Sequence, residues 1–214
     1  VAGFFNNDVY QDLAIANLRD NNISIFLGNG DGTFHHTGNF GTGIKPMWLT
    51  IGDFNKDGVT DIVTANSGEG TISVLLGNRS GGFFKSVNYI AGKQPTMIAV
   101  GYFNKDHSDD LAVSNFGSDS ITLLMGTGDG TFHNSHSFRV DKNPRRHSHP
   151  KALVAADFNH DGFQDLAIGN FGVNGEIRGG NSTSIFLGNG DGRFVKHQEI
   201  TTGVGTSFLL VHDF

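Results

Sequence analysis

No cysteine occurs in the 214 residues, which excludes disulfides, thiolate metal sites and a cysteine nucleophile but leaves the compartment open. Proline is scarce, with 4 residues, and tryptophan occurs once. No apolar run reaches the roughly 18 residues of a membrane-spanning helix, so no membrane insertion of this segment is expected. The opening Val1-Ala2-Gly3-Phe4-Phe5 has neither an initiating Met nor a basic leader, so the segment is expected to start inside a longer chain. Positive charge is also short. Fifteen Lys and Arg against 21 Asp and Glu give a formal charge of −6, which argues against general nucleic-acid binding. What abounds is glycine, 31 residues, and phenylalanine, 19, a composition suited to many short strands joined by tight turns.

The sequence repeats itself. Asp12-Leu13-Ala14-Ile15-Ala16-Asn17 returns as Asp61 to Asn66, Asp110 to Asn115 and Asp165 to Asn170. A second signature follows each copy: Leu27-Gly28-Asn29-Gly30-Asp31-Gly32-Thr33-Phe34, then Leu76 to Phe83, Met125 to Phe132 and Leu187 to Phe194. The fourth copy is longer between the two signatures, which places an insertion at Val173 to Asn181. In the second copy the pattern predicts strands at Met47 to Gly52, Asp61 to Ala65, Thr71 to Leu76 and Phe83 to Ile90. Four strands in a repeat of 40 to 50 residues are the signature of a propeller blade. The fold class expected is therefore all-β, a β-propeller with about four blades at roughly 1–40, 44–91, 93–140 and 149–203, and a new one starting at 205.

Each blade carries an Asp-rich loop before its second strand. Asp53, Asn55, Asp57 and Asp61 stand at loop positions 1, 3, 5 and 9, with Gly58 at 6. Calcium takes six to eight hard oxygen ligands, and this spacing wraps a short chain around one ion, with the Val59 carbonyl completing the ring. Asp157, Asn159, Asp161 and Asp165 repeat it, with Gly162 at 6 and Phe163 in the place of Val59. Two loops are partial: Asn6, Asp8 and Asp12 follow Phe4, and Asn104, Asp106 and Asp110 follow Tyr102. In these, turn-forming Asn and Asp are the competing explanation.

These motifs resemble the FG-GAP/VCBS repeat family, which includes the propeller of integrin α-subunits, and the resemblance covers the whole chain. The matching residues are the Asp-x-Asn-x-Asp-Gly-x-x-Asp loops at Asp53 and Asp157, the Asp-Leu-Ala strands and the Leu-Gly-Asn-Gly-Asp-Gly-Thr-Phe hairpins. The resemblance implies that the loops join the first and second strands of a blade, and that Ca2+ there braces the fold rather than catalysing. It also implies further blades, since propellers of that family commonly have seven.

Other features are weaker signals. The Asn29-Gly30-Asp31-Gly32 type of turn reads as a hairpin rather than a phosphate loop, because neither a helix nor Lys-Ser/Thr follows. Arg145, Arg146, His147 and His149 cluster in an insertion at Asp141 to His149, as ligand contacts, a transition-metal site or a solvated loop. Both insertions follow even-numbered strands and are expected at the end of the blades away from the Asp loops. The patterns at Asn22, Asn78 and Asn181 fit glycosylation in a secreted chain. No catalytic triad or carboxylate pair is assignable from spacing. The function expected is a calcium-stabilised, non-catalytic propeller, extracellular or on the cell surface, recognising a protein or glycan ligand. The alternatives are a propeller of, or attached to, a secreted glycan-degrading enzyme, and a structural repeat array.

Overall fold

The computed structural model describes residues 1–143, 146–172, 181–203 and 205–212, the side chains of 134 and 135 excepted. Among these residues the chain is all-β apart from one 3-10 turn, Phe116–Ser118. Sixteen strands form four antiparallel sheets of four, each paired in simple chain order. The first sheet is β1 (Ala2–Gly3), β2 (Asp12–Asn17), β3 (Asn22–Gly28) and β4 (Phe34–Gly41). The second is β5 (Pro46–Gly52), β6 (Asp61–Asn66), β7 (Thr71–Leu75) and β8 (Val87–Ile90). The third is β9 (Pro95–Gly101), β10 (Asp110–Asn115), β11 (Ser120–Gly126) and β12 (Phe132–Arg139). The fourth is β13 (Pro150–Ala156), β14 (Asp165–Asn170), β15 (Ser182–Gly188) and β16 (Phe194–Thr201).

Three apolar clusters fill the gaps between successive sheets. Ile23 and Ile25 of the first sheet meet Ile62 and Leu75 of the second. On the other face of the second sheet, Val63, Ala65, Ile72 and Val74 meet Ile98, Leu111 and Val113 of the third. Ala112, Ile121 and Leu123 then meet Leu166, Ile168 and Phe186 of the fourth. The strand period of two decides this: adjacent residues such as Ile62 and Val63 point to opposite faces and serve different interfaces. Accordingly β6 and β10 bury every residue. By contrast β2, with no neighbour on its outward face among the described residues, leaves Ile15 45% exposed. The first strands β5, β9 and β13 lie against one another, the arrangement of β-propeller blades about an axis.

A second contact repeats between sheets. The turn before the fourth strand reaches back to the preceding sheet: Gly81 N–H donates to the Phe5 carbonyl, Gly130 to Phe54 and Gly192 to Phe103, each at 2.9 Å. Beside each bond two rings meet edge to face, Phe5 on Phe83, Phe54 on Phe132 and Phe103 on Phe194, at 5.7, 5.5 and 5.4 Å. Only glycine fits these turns, because φ is +79° to +84° and a Cβ would come within 2.8 Å of Leu27, Leu76 or Met125.

One strand departs from the sequence pattern. The fourth strand of the second sheet is Val87–Ile90, preceded by a lone bridge between Gly77 and Phe83. In the other three sheets a single bulge interrupts the same pairing. There, Asp31 and Asp129 accept the N–H of Thr33 and Thr131 and set the turn. The second turn, Asn78-Arg79-Ser80-Gly81-Gly82, lacks that Asp, and Asn78 Oδ1 accepts the N–H of Ser80 and Gly82 in its place.

Candidate functional site

The connections between first and second strands stand at one end of the sheets, and each delivers a fully buried Asp to the second strand. That carboxylate does the same thing in all four sheets. Asp12 accepts the N–H of Phe5 and Gly28, Asp61 of Phe54 and Gly77, Asp110 of Phe103 and Gly126, and Asp165 of Phe158 and Gly188, all at 2.7–3.0 Å. It ties the loop to the end of the third strand whether or not the loop is complete. In the complete loops Asp53 also accepts the N–H of Asp57 and Gly58, each at 3.0 Å, and Asp157 those of Asp161 and Gly162 at 3.2 and 2.9 Å. Asn55 and Asn159 donate to Asp57 and Asp161, and the partial loops keep this bond as Asn6 to Asp8 and Asn104 to Asp106. Val59 is buried, and Phe163 is half-buried under the Lys105 amine at 4.8 Å.

Burial pushes the Asp61 carboxyl up to about 6, against the pull of two backbone N–H groups and with added repulsion from Asp57 and Asp53. A cation would relieve this crowding, and the donors are all oxygens, the set a hard ion takes. The hairpin turns behave differently. Side-chain hydrogen bonds from Thr127 and Thr131 hold the Asp129 carboxyl down at about 2, as a turn-setting acceptor.

At the opposite end, where β5, β9 and β13 begin, lies an open cleft of about 870 Å³. Lys45, Lys93 and Lys151 line it together with Glu69, Phe116 and Phe171, so its lining is net positive in a chain of charge −6. Lys151 lies 4.2 Å over the ring of Phe171.

Beside the cleft, three side chains converge. Among the described residues, the one group of three His, Asp or Glu side chains whose ligand atoms gather within 4.8 Å is Asp119, His147 and His149. Asp119 is buried in the turn after Phe116–Ser118, in the left-handed region with φ 53°. Its Oδ2 lies 2.7 Å from His147 Nδ1, and its Oδ1 accepts the His149 N–H at 2.9 Å. The His149 ring stacks on Phe116 at 4.6 Å, so Phe116 joins this group to the cleft wall.

Of the four residues singled out in the first insertion, His147 and His149 come together here. Arg146 turns to Asp141 at 3.2 Å, and Arg145 lies outside the described residues, as do 173–180 of the second insertion. Asp119 was not legible as a partner, because it lies 30 residues before His149 and only the topology joins them. The signal available was an Asp where the other blades place Asn21 or Gly70.

A family model described as FG-GAP-like repeat matches residues 5–64, 53–113 and 102–168. Among curated proteins no sequence relative matches the chain. Solved structures are similar in fold. A Lactobacillus plantarum protein aligns with a TM-score of 0.69 at 15% identity, over 89% of this chain and 54% of its own. A Bacteroides uniformis protein described as a candidate 6-phosphogluconolactonase gives 0.65 at 15%, over 90% and 53%. The periplasmic gluconolactonase of Pseudomonas aeruginosa gives 0.64 at 12%, over 96% and 54%. The chain thus spans about half the length of these proteins. Among the described residues no helix is long and apolar enough to cross a membrane.

These likenesses correct the expectation of a non-catalytic recognition module that is not an enzyme. Propellers of this shape include proteins described as lactonases, so the fold is no argument against catalysis. The physical reason is that a propeller assembles a site from loops of several blades. Catalytic groups that meet in this way have no fixed spacing along the chain, so the lack of a triad pattern in the sequence does not exclude a reaction.

Proposed function

The chain belongs to the FG-GAP-like repeat family, and on that premise we propose that it forms blades of a calcium-braced propeller whose axial cleft hydrolyses small anionic sugar-acid esters of the lactone class. The observation that carries the reading is the cleft itself, with three lysines and one glutamate among its described lining residues. Two fold-level neighbours described as lactonases support the choice of reaction. In lactone opening, water adds to the carbonyl carbon, the ring C–O bond breaks and the ring oxygen takes up a proton, leaving a hydroxyl and a carboxylate. Lys45, Lys93 and Lys151 would hold the anionic groups of substrate and product, and Glu69 would take the proton from the attacking water.

Calcium in this reading is held by Asp53, Asn55, Asp57, Asp61 and the Val59 carbonyl, and by Asp157, Asn159, Asp161, Asp165 and the Phe163 carbonyl. It braces the end away from the cleft, and such loops suit the calcium-rich space outside the cell. Further blades complete the ring. They are supported by Phe158, 38% exposed, and Phe34, 43% exposed, the two rings of the repeated contact that lack their counterpart among the described residues.

The test is hydrolysis of the anionic 6-phosphogluconolactone, with uncharged gluconolactone beside it as the weaker substrate, followed by pH-stat. Turnover above the spontaneous rate is expected, with Lys93→Ala raising KM and Glu69→Gln lowering kcat by about 100-fold. If neither lactone opens faster than in buffer, the reading fails.

A further inference from the structure

We infer that Asp119, His147 and His149 form a binding site for one divalent transition-metal ion of the zinc class, apart from the oxygen-only Asp loops. The backbone turns that carry these side chains do not require them. At the equivalent turn of the first sheet, Asn21 (φ 55°) accepts the Lys45 N–H at 2.8 Å, as Asp119 (φ 53°) accepts that of His149. A neutral side chain therefore suffices for the turn, and the second oxygen and the charge of Asp119 are surplus to it. The same holds for His149. Its backbone conformation (φ 45°) is shared by Lys45 and Gln94, each also followed by proline, and its carbonyl accepts the Phe171 N–H as theirs accept those of Ser67 and Phe116. The imidazole has no part in that pattern.

What the surplus atoms do is converge. Two imidazoles and a carboxylate are the donor set of borderline ions such as zinc, and three protein ligands leave a position open for water. His149 Nδ1 lies 3.1 Å from the Phe116 carbonyl and 3.7 Å from Asp119 Oδ1, and with its proton on that carbonyl, an outer hydrogen bond that fixes the ring, Nε2 is the nitrogen left to take a metal. His147, with 46% of its side chain exposed, keeps the group open to solvent. Arg139, 3.5 Å from Asp119 Oδ2, is the cation that balances the carboxylate now and that a metal would displace.

The site stands independently of lactone chemistry, because metal uptake is measured by itself. With the chain saturated in calcium to fill the Asp loops, zinc is titrated calorimetrically and cobalt by its visible absorption. One equivalent should bind. His147→Ala, a change at an exposed ring that should leave the fold intact, is expected to weaken that binding by about 100-fold. Asp119→Asn, which keeps an acceptor for the His149 N–H, should weaken it too. Zinc binding unchanged in both variants would place the ion on other histidines and overturn the assignment. Affinity weaker than about 1 mM for the unaltered chain would overturn it as well, leaving these side chains only a hydrogen-bonded fastening of the loop.

Discussion

The buried Asp at the head of each second strand is the residue on which both the fold and the loops depend, and Asp61 makes its cost measurable. Its carboxyl ionises near 6 when folded, against an ordinary value of 3.8, so the folded state holds the proton more tightly than the unfolded chain. The associated stability is fully present below about pH 4 and is lost as pH rises through about 6. In chelator, the melting temperature of the unaltered chain should therefore fall relative to that of Asp61→Asn between about pH 4 and pH 7. A gap that stays constant across that range would show that Asp61 does not titrate so. Part of this was legible: the sequence marked Asp12, Asp61, Asp110 and Asp165 as recurrent, with the calcium motif as the reason. It did not show that all four brace the backbone alike, since that role lies in N–H groups of residues 7 before and 16 or 23 after them. Nor could it pair Asp119 with two histidines across a sheet.

At the scale of the element, the contact between one blade's loop and the next blade's hairpin holds the stack in register. Phe103 and Phe158 occupy the same repeat position, but Phe103 is 2% exposed and meets Phe194, whereas Phe158 is 38% exposed. Phe103→Ala should cost about 3–5 kcal/mol in denaturant unfolding, and Phe158→Ala within about 1 kcal/mol. Equal losses would mean that the interface does not rely on this ring pair. The strands themselves were readable from alternation and turn residues, since each repeat is one sheet and its Asp-Leu-Ala run is the second strand. The shortened β8 was not, because Phe83 to Ile90 keeps the apolar character of a strand while only Val87–Ile90 pairs continuously.

For the whole molecule, charge and stability are joined through the Asp loops. Two divalent ions would add four charges to a net of −6, leaving −2. An ion that binds the folded loops and not the unfolded chain should stabilise by about 2.7 kcal/mol per site at a hundred times its dissociation constant. Calorimetry after chelation should find at least two calcium sites and a raised melting temperature, with part of the rise absent in Asp57→Ala. No uptake at millimolar calcium would remove the bracing role. In every bond that a backward-reaching hairpin makes, the later sheet brings the donor and the earlier sheet the acceptor, so the stack has a direction, and its two open ends are unlike. During synthesis the Phe5, Phe54 and Phe103 carbonyls leave the ribosome before the glycines that will claim them. Each blade's hairpin thus emerges after the carbonyl on which it docks.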